Sequence, residues 1–408
     1  MRGSSRVRWG RRTVLSLCTT AMVVGAFAAL ELAPSAGASR ANAVTGVPSW
    51  IPSKVASIYP GYQYFSTLQR SPDASYTPPS GKVTFCYNTT YLGNAFQEGV
   101  VAELQKLVAE YKKTGLGTGS LTVTNSNNNP TLELSQLNSL VNSNCKVIFG
   151  FPASATALCS AIAKAGKHGD LYVSIESPVS CPNAINVTWN GYWAEYVGAV
   201  AVLKAMNYKG NLVVTQGIPG VAIGTAETYA VQNALKGHPG VTVLGDVAGE
   251  WTPSVAHTAM AEFLATHPQP VNGIIDAGAE DVSTEQALLE AGRPVAKVNS
   301  ITGECSILAF WKQHPAAETL GLNQDPGAAA YESFYVAERM LAGQKPDVNV
   351  LFYPVPEVTT SNFNSWYKPS MTVQSGCIPR SPGGRAVADS WFNPFFSGGK
   401  QLKVAVNP

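Results

Sequence analysis

Residues able to act as nucleophiles, general bases or metal ligands are scattered along this chain rather than gathered. The five histidines, His168, His238, His257, His267 and His314, fall mostly at expected helix ends or turns, an ordinary surface place. No G-x-S-x-G elbow positions a serine, so nucleophilic acyl chemistry has no framework. Neither a phosphate-cradling Walker loop, a Rossmann glycine fingerprint nor H-E-x-x-H is present. With no C-x-x-C and no histidine cluster, no metal site and no cofactor is expected. The polar residues are largely Ser, Thr, Asn and Gln, and only 13% of the chain is charged. That chemistry suits hydrogen-bonded recognition of a small molecule, not catalysis.

The N-terminus reads as an export signal. Arg2, Arg6, Arg8, Arg11 and Arg12 precede an apolar run from Thr13 to Leu30, and Ala36-Gly37-Ala38 is a small-residue cleavage signal, with Ala41-Asn42-Ala43 a second. Arg11-Arg12 followed by Thr13-Val14-Leu15 resembles a twin-arginine signal, with ordinary secretion the alternative. Cys18 lies too early in the run, after Leu17, to accept a lipid. Removal of residues 1–38 leaves 23 basic and 25 acidic residues, a net charge of −2 against +2 for the whole chain. The mature protein therefore lacks the clustered positive charge that nucleic acid or an anionic membrane demands. Export makes disulfides permissible. Proximity favours Cys159–Cys181, and Cys305–Cys377 would tie the late tail to the body; Cys86 and Cys145 are left as a third bridge or two buried thiols.

Residues 39–80 form a leader rich in Pro, Ser and Tyr, expected to drape on the first lobe. An alternation of strand and helix signals follows. Lys82–Cys86 is β-rich, and Phe96 to Lys113 places Val100, Val101, Leu104, Leu107, Val108 and Tyr111 on one face at a 3.6-residue period. Strands at Leu121–Thr124, Lys146–Gly150 and Leu171–Ile175 alternate with helices, and the pattern restarts from Tyr192 and runs to a last strand at Val348–Val355. Such alternation predicts α/β architecture with parallel sheets covered on both faces, in two halves of similar size. Beyond Thr359 a tail rich in Pro, Gly and aromatics shows little regular structure.

Over residues 81–358 the chain resembles the type I periplasmic sugar-binding proteins, the group of the ribose-binding protein. The resemblance rests on Thr124-Asn125-Ser126-Asn127-Asn128-Asn129-Pro130, on Gln216-Gly217-Ile218-Pro219-Gly220, and on Ala287-Leu288-Leu289-Glu290-Ala291-Gly292-Arg293. Ile301-Thr302-Gly303-Glu304 followed by Phe310-Trp311, Gln324-Asp325-Pro326, and Met340 to Lys345 complete it in order and spacing. The resemblance implies two doubly wound parallel-sheet lobes joined by a three-segment hinge, with crossings near Thr188–Trp189, Asn323–Asp325 and Tyr353–Val355. Lobe 1 would be 81–188 plus about 325–352, lobe 2 would be 189–324 plus about 353–358, and 359–408 an extension. Ligand would lie in the inter-lobe cleft, at the carboxyl ends of the strands.

The same resemblance implies a ligand set. Glu176, at a strand end, matches a carboxylate that takes sugar hydroxyls, and a carboxylate accepts at several positions, which suits vicinal diols. Trp251 matches an aromatic that packs on the ligand, and Gln324 matches the family's glutamine at the second crossing. Thr302 and Glu304 stand near a family aspartate, Asp276 near an Asn-Asp pair, Asn88 and Tyr91 in the first strand-to-helix loop, and Trp189 at the hinge; Asn190 is read as a helix cap. Ser177 stands where ribose binders carry an arginine, and a second family arginine, expected near Thr225, is also missing. Both losses argue against ribose and against phosphorylated or carboxylated ligands, which want arginine forks. The expectation is an exported monomer that captures a neutral sugar or polyol and delivers it to an ABC importer permease. The competing readings are an amino acid, short peptide, nucleoside or signalling furanose in the same fold; a sugar-responsive repressor would need a DNA-binding helix pair where the signal stands.

Overall fold

The computed structural model describes residues 46–219 and 221–398. The expected export signal with its arginine pair, Cys18 and both expected cleavage signals lies outside the described residues, as do Gly220 and the end of the extension. No described helix is long and apolar enough to cross a membrane.

The first half folds as β1 (Val83–Thr89), α1 (Ala95–Lys112), β2 (Gly117–Asn125), α2 (Pro130–Asn142), β3 (Val147–Phe151), α3 (Cys159–Lys167), β4 (Leu171–Ile175) and β5 (Ala184–Thr188). The second runs α4 (Gly191–Ala205), β6 (Gly210–Gln216), α5 (Ala222–Ala234), β7 (Val241–Ala248), α6 (Pro253–Thr266), β8 (Gly273–Ile275), α7 (Asp281–Glu290), β9 (Lys297–Ser300), α8 (Cys305–Gln313) and β10 (Glu318–Leu322). Then come α9 (Pro326–Leu341), β11 (Lys345–Pro346), β12 (Val350–Phe352), β13 (Glu357–Val358), α10 (Phe363–Trp366) and β14 (Phe396–Ser397).

Two six-stranded sheets result, ordered β12-β5-β4-β3-β1-β2 and β13-β10-β9-β8-β6-β7. The first is parallel throughout, and the second is parallel except where β13 pairs antiparallel with β10. Every residue of β3, β4 and β5 is buried, as expected of strands covered by helices on both faces. β5 carries a polar residue at its centre. Asn186 bonds Ser174 Oγ, the Val179 backbone and the Asn349 carbonyl, so its amide is fully engaged between strands.

The chain passes between sheets after β5, after β10 and between β12 and β13. These are the three crossings of a type I periplasmic-binding fold. Motif residues start the helices that flank them. Asn190 Oδ1 accepts from Trp193 N at the head of α4, and Asp325 Oδ1 from Gly327 N at the head of α9, where Pro326 takes the first helical position. Asn129 does the same for α2, after Asn127 and Asn128 turn the chain with φ of 48° and 60°; asparagine tolerates that left-handed region better than most residues.

The leader and the extension are built into this body. Ile51, Val55, Tyr59 and Phe65 of the leader, and Phe392 and Phe395 of the extension, belong to the same apolar core as β1, β3 and α9. The leader also reaches the second lobe: Asn190 Nδ2 donates to the carbonyls of Ile58 and Pro60, and Tyr64 stacks between Tyr192 and Tyr229. The extension is more regular than its composition suggests. Phe363 packs into the second-lobe core, and β14 pairs with β11. In between it runs past the second crossing, where Asn323 Nδ2 donates to the Pro379 carbonyl and Ser381 N donates to Asp325 Oδ2. It thus makes a fourth passage between lobes. Disulfides join Cys86 to Cys145, Cys159 to Cys181, and Cys305 on α8 to Cys377 of the extension.

Candidate ligand-binding cleft

The carboxyl ends of both sheets face a cleft of about 60 Å³, lined by residues of each lobe and of the crossings. Tyr91, Glu176, Trp189, Trp251, Thr302, Glu304 and Gln324 all stand on its walls.

Glu176 caps β4 with a φ of 62°, a strained setting for a residue with a β-carbon. Its carboxylate accepts from the Tyr353 hydroxyl, on the third crossing, and from Thr188 Oγ1 at 3.3 Å, beside the first. This cleft-wall acid is therefore bonded to two hinge segments. Burial pushes this carboxyl up to about 8, with the Tyr353 and Thr188 bonds pulling the other way. A protonated carboxyl both donates and accepts, matching a hydroxyl's own capacity.

Trp251 is set from below. Its backbone N–H donates to Glu280 Oε1 at 2.6 Å and its indole N–H to the Ala277 carbonyl at 3.1 Å. A β-carbon on Gly217 would sit 2.1 Å from the indole, so only glycine lets the ring lie across that loop. Trp251 itself has a φ of 53°, and Ala279 on the same wall a φ of 59°.

Several buried polar atoms on the walls make no hydrogen bond within the protein: Trp189 Nε1, Thr302 Oγ1, Gln324 Nε2 and both oxygens of Glu227. Unmet donors and acceptors in a cleft are ready partners for a hydroxylated ligand. Glu304 is pushed up to about 8 by burial and then by the charge of Asp281, against its bond from Ser306. At the mouth, Tyr91 Oη and Thr252 Oγ1 approach to 3.3 Å and link the two lobes directly.

Asn88 and Asp276 need correcting as wall residues. β1 runs on to Thr89, longer than its short β-rich core suggests, so Asn88 is fully buried inside the sheet and donates to Thr124 Oγ1 on β2. Asp276 is also fully buried, and its Oδ1 accepts from Glu280 N ahead of α7; Ala277, Gly278 and Ala279 face the cleft instead. Sequence reasoning missed Asn94, Phe96 and Gln97 at the start of α1, Phe151 at the end of β3, and Ile218, Ile223 and Glu227 around α5. All sit at strand ends or helix starts on the carboxyl edge, a positional signal that residue type alone does not carry.

Two parallel-sheet lobes, three crossings and a cleft walled by hinge-linked acids and aromatics define a bilobal solute-binding protein. A family model described as "Periplasmic binding protein domain" matches residues 85–345, and the chain belongs to that family. It is similar to the xylitol-binding protein of Mycolicibacterium smegmatis, 23% identical over 239 residues, which cover 58% of this chain and 67% of that one. Among solved structures, an ABC transporter solute-binding protein from Thermobispora bispora superposes with a TM-score of 0.65 at 21% identity, covering 76% of this chain and all of that one. A solute-binding protein from Mycobacterium smegmatis with bound glycerol gives 0.63 at 20% identity over 72% of this chain and all of that one. The Caulobacter myo-inositol-binding protein, bound to myo-inositol, gives 0.62 at 18% identity over 71% and 97%.

Proposed function

We propose that this protein captures a neutral sugar or polyol in the inter-lobe cleft and presents it, chemically unchanged, to an ABC importer. The observation that carries the reading is the set of unpartnered buried polar atoms on Trp189, Thr302 and Gln324 beside the Glu176 carboxyl, on walls that also present Tyr91, Phe96, Phe151 and Trp251. Aromatic faces suit sugar C–H groups, and the polar atoms suit hydroxyls. Among the described lining residues none is Lys, Arg or His, so a phosphorylated or carboxylated ligand would meet no counter-charge. Family membership and the xylitol-binding relative support the same class.

On this reading the protein is exported, works as a monomer, and closes as a population shift driven by ligand bonds to both lobes. Isothermal titration with xylitol, myo-inositol, glycerol and D-allose, set beside amino acids and nucleosides, tests it. Saturable binding of a polyol or sugar is expected. Binding confined to an amino acid or nucleoside would replace the ligand class.

A further inference from the structure

Behind Ile218 and Glu227 a second cavity of about 330 Å³ opens under α5, against β6 and the edge strand β7. Glu195 of α4, Glu227 of α5 and Asp246 of β7 contribute carboxylates to its wall, and Val214, Val221 and Val231 give it an apolar side. Among its described lining residues none is Lys, Arg or His.

Asp246 accepts from Gln216 Nε2 at 2.9 Å, but Glu195 and Glu227 are not accounted for by the protein itself. Glu227 is 6% exposed and neither of its oxygens accepts a hydrogen bond; Glu195 is 1% exposed and its Oε2 accepts none. Burial raises both carboxyls well above their ordinary range, and neighbouring acids add to it, Glu227 and Glu280 for Glu195, and Glu280 for Glu227. Buried carboxylates normally hold a cation or several hydrogen bonds, because an isolated charge out of water is costly.

We propose that this chamber is a second binding site, which takes a small aliphatic ammonium compound with its cationic head on Glu195 and Glu227 and its hydrocarbon against the valines. With no Lys, Arg or His among the described lining residues, an anion would meet no counter-charge there. No group of three or more His, Cys, Asp and Glu among the described residues is placed to hold a metal ion, and a chamber of this volume with an apolar side fits an organic cation better than a bare ion. The site stands apart from the polyol reading of the cleft, although Glu227 borders both spaces.

Gly224 supplies a way to fill the chamber without replacing its acids. A β-carbon there meets nothing nearer than the Ile218 carbonyl at 3.8 Å and Glu227 Oε2 at 4.0 Å, so a larger side chain on this helical position grows into the space beside Glu227.

Calorimetric titration of the full exported chain with n-butylammonium chloride, and with 1-butanol as the uncharged counterpart, tests the assignment. Butylammonium is expected to bind and 1-butanol not to. Glu227→Gln, Glu195→Gln and the chamber-filling Gly224→Leu are each expected to weaken butylammonium at least tenfold. Should the glutamine variants fail to fold, Gly224→Leu decides alone. Absence of butylammonium binding overturns the proposal. So does equal binding of 1-butanol, which would make the chamber an apolar hole, or unchanged affinity in Gly224→Leu, which would put the amine elsewhere.

Discussion

At the level of one side chain, Glu176 ties the cleft wall to the crossings between lobes. Its carboxyl is held by Tyr353 and Thr188, residues of two different hinge segments, so on the proposed function a ligand hydroxyl bound to it would pull on the hinge itself. Trp251 provides the opposing surface, locked by Glu280 and Ala277 and seated over Gly217. We expect Glu176→Ala and Trp251→Ala each to weaken polyol binding by at least tenfold, about 1.4 kcal/mol. Calorimetric affinity that stays put in either variant would take that residue out of the binding wall. Seven of the residues expected at the site from sequence meet in the cleft, because strand-end positions in a doubly wound sheet all open to one edge. Asn88 and Asp276 do not, since one more or one fewer residue in a strand turns a side chain from the edge into the sheet. The left-handed backbone of Glu176, Trp251 and Ala279 left no mark in their residue types, because none of them is a residue that favours such φ values.

α1, α2, α4 and α9 begin on a capping side chain, Asn94, Asn129, Asn190 and Asp325, and one cap has a second task. Asn190 closes the first turn of α4 with its oxygen and anchors the leader at Ile58 and Pro60 with its amide nitrogen. Asn190→Ala should therefore cost about 1–2 kcal/mol, cap and buried bonds together, read as a lower midpoint in urea unfolding. The extension is the other element whose role exceeds its composition. It leaves the second lobe through Cys377, bonds Asn323 and Asp325 of the second crossing, and then runs against α9, where Glu332 Oε1 accepts from Ala386 N and Val387 N. Replacing both Cys305 and Cys377 by Ala removes a bridge over 72 residues of sequence. A loss of roughly 2–4 kcal/mol is expected from the greater freedom of the unfolded chain; thermal scans of the double variant that match the parent would show the bridge to be idle.

Across the whole molecule, the buried acids set a pH dependence. Glu176, Glu280, Glu285, Glu304 and Glu332 are each pushed by burial from 4.5 to about 8. Between those values the folded chain holds more protons than the unfolded chain, so stability falls as pH rises. Their contribution is complete below about pH 4.5 and is lost as pH passes through about 8. The melting temperature should accordingly be higher at pH 6 than at pH 8.5, and the reverse order would contradict the burial of these acids. The proposed closure is also tested at this scale: small-angle scattering at saturating polyol should show a smaller radius of gyration than without ligand, and identical profiles would deny a jaw-like mechanism. Periodicity alone carried the two α/β halves, because the spacing of apolar residues states which face of each element must leave water. Ordered motifs carried the family, and the lack of arginines at the expected places carried the proposal of an uncharged ligand. Only the folded chain decided which strand-end residues share one cleft, that leader and extension bind both lobes, and that Glu195 and Glu227 meet in a second chamber. Those facts depend on contacts between residues far apart in sequence and on the register of each strand, and neither leaves a periodic trace along the chain.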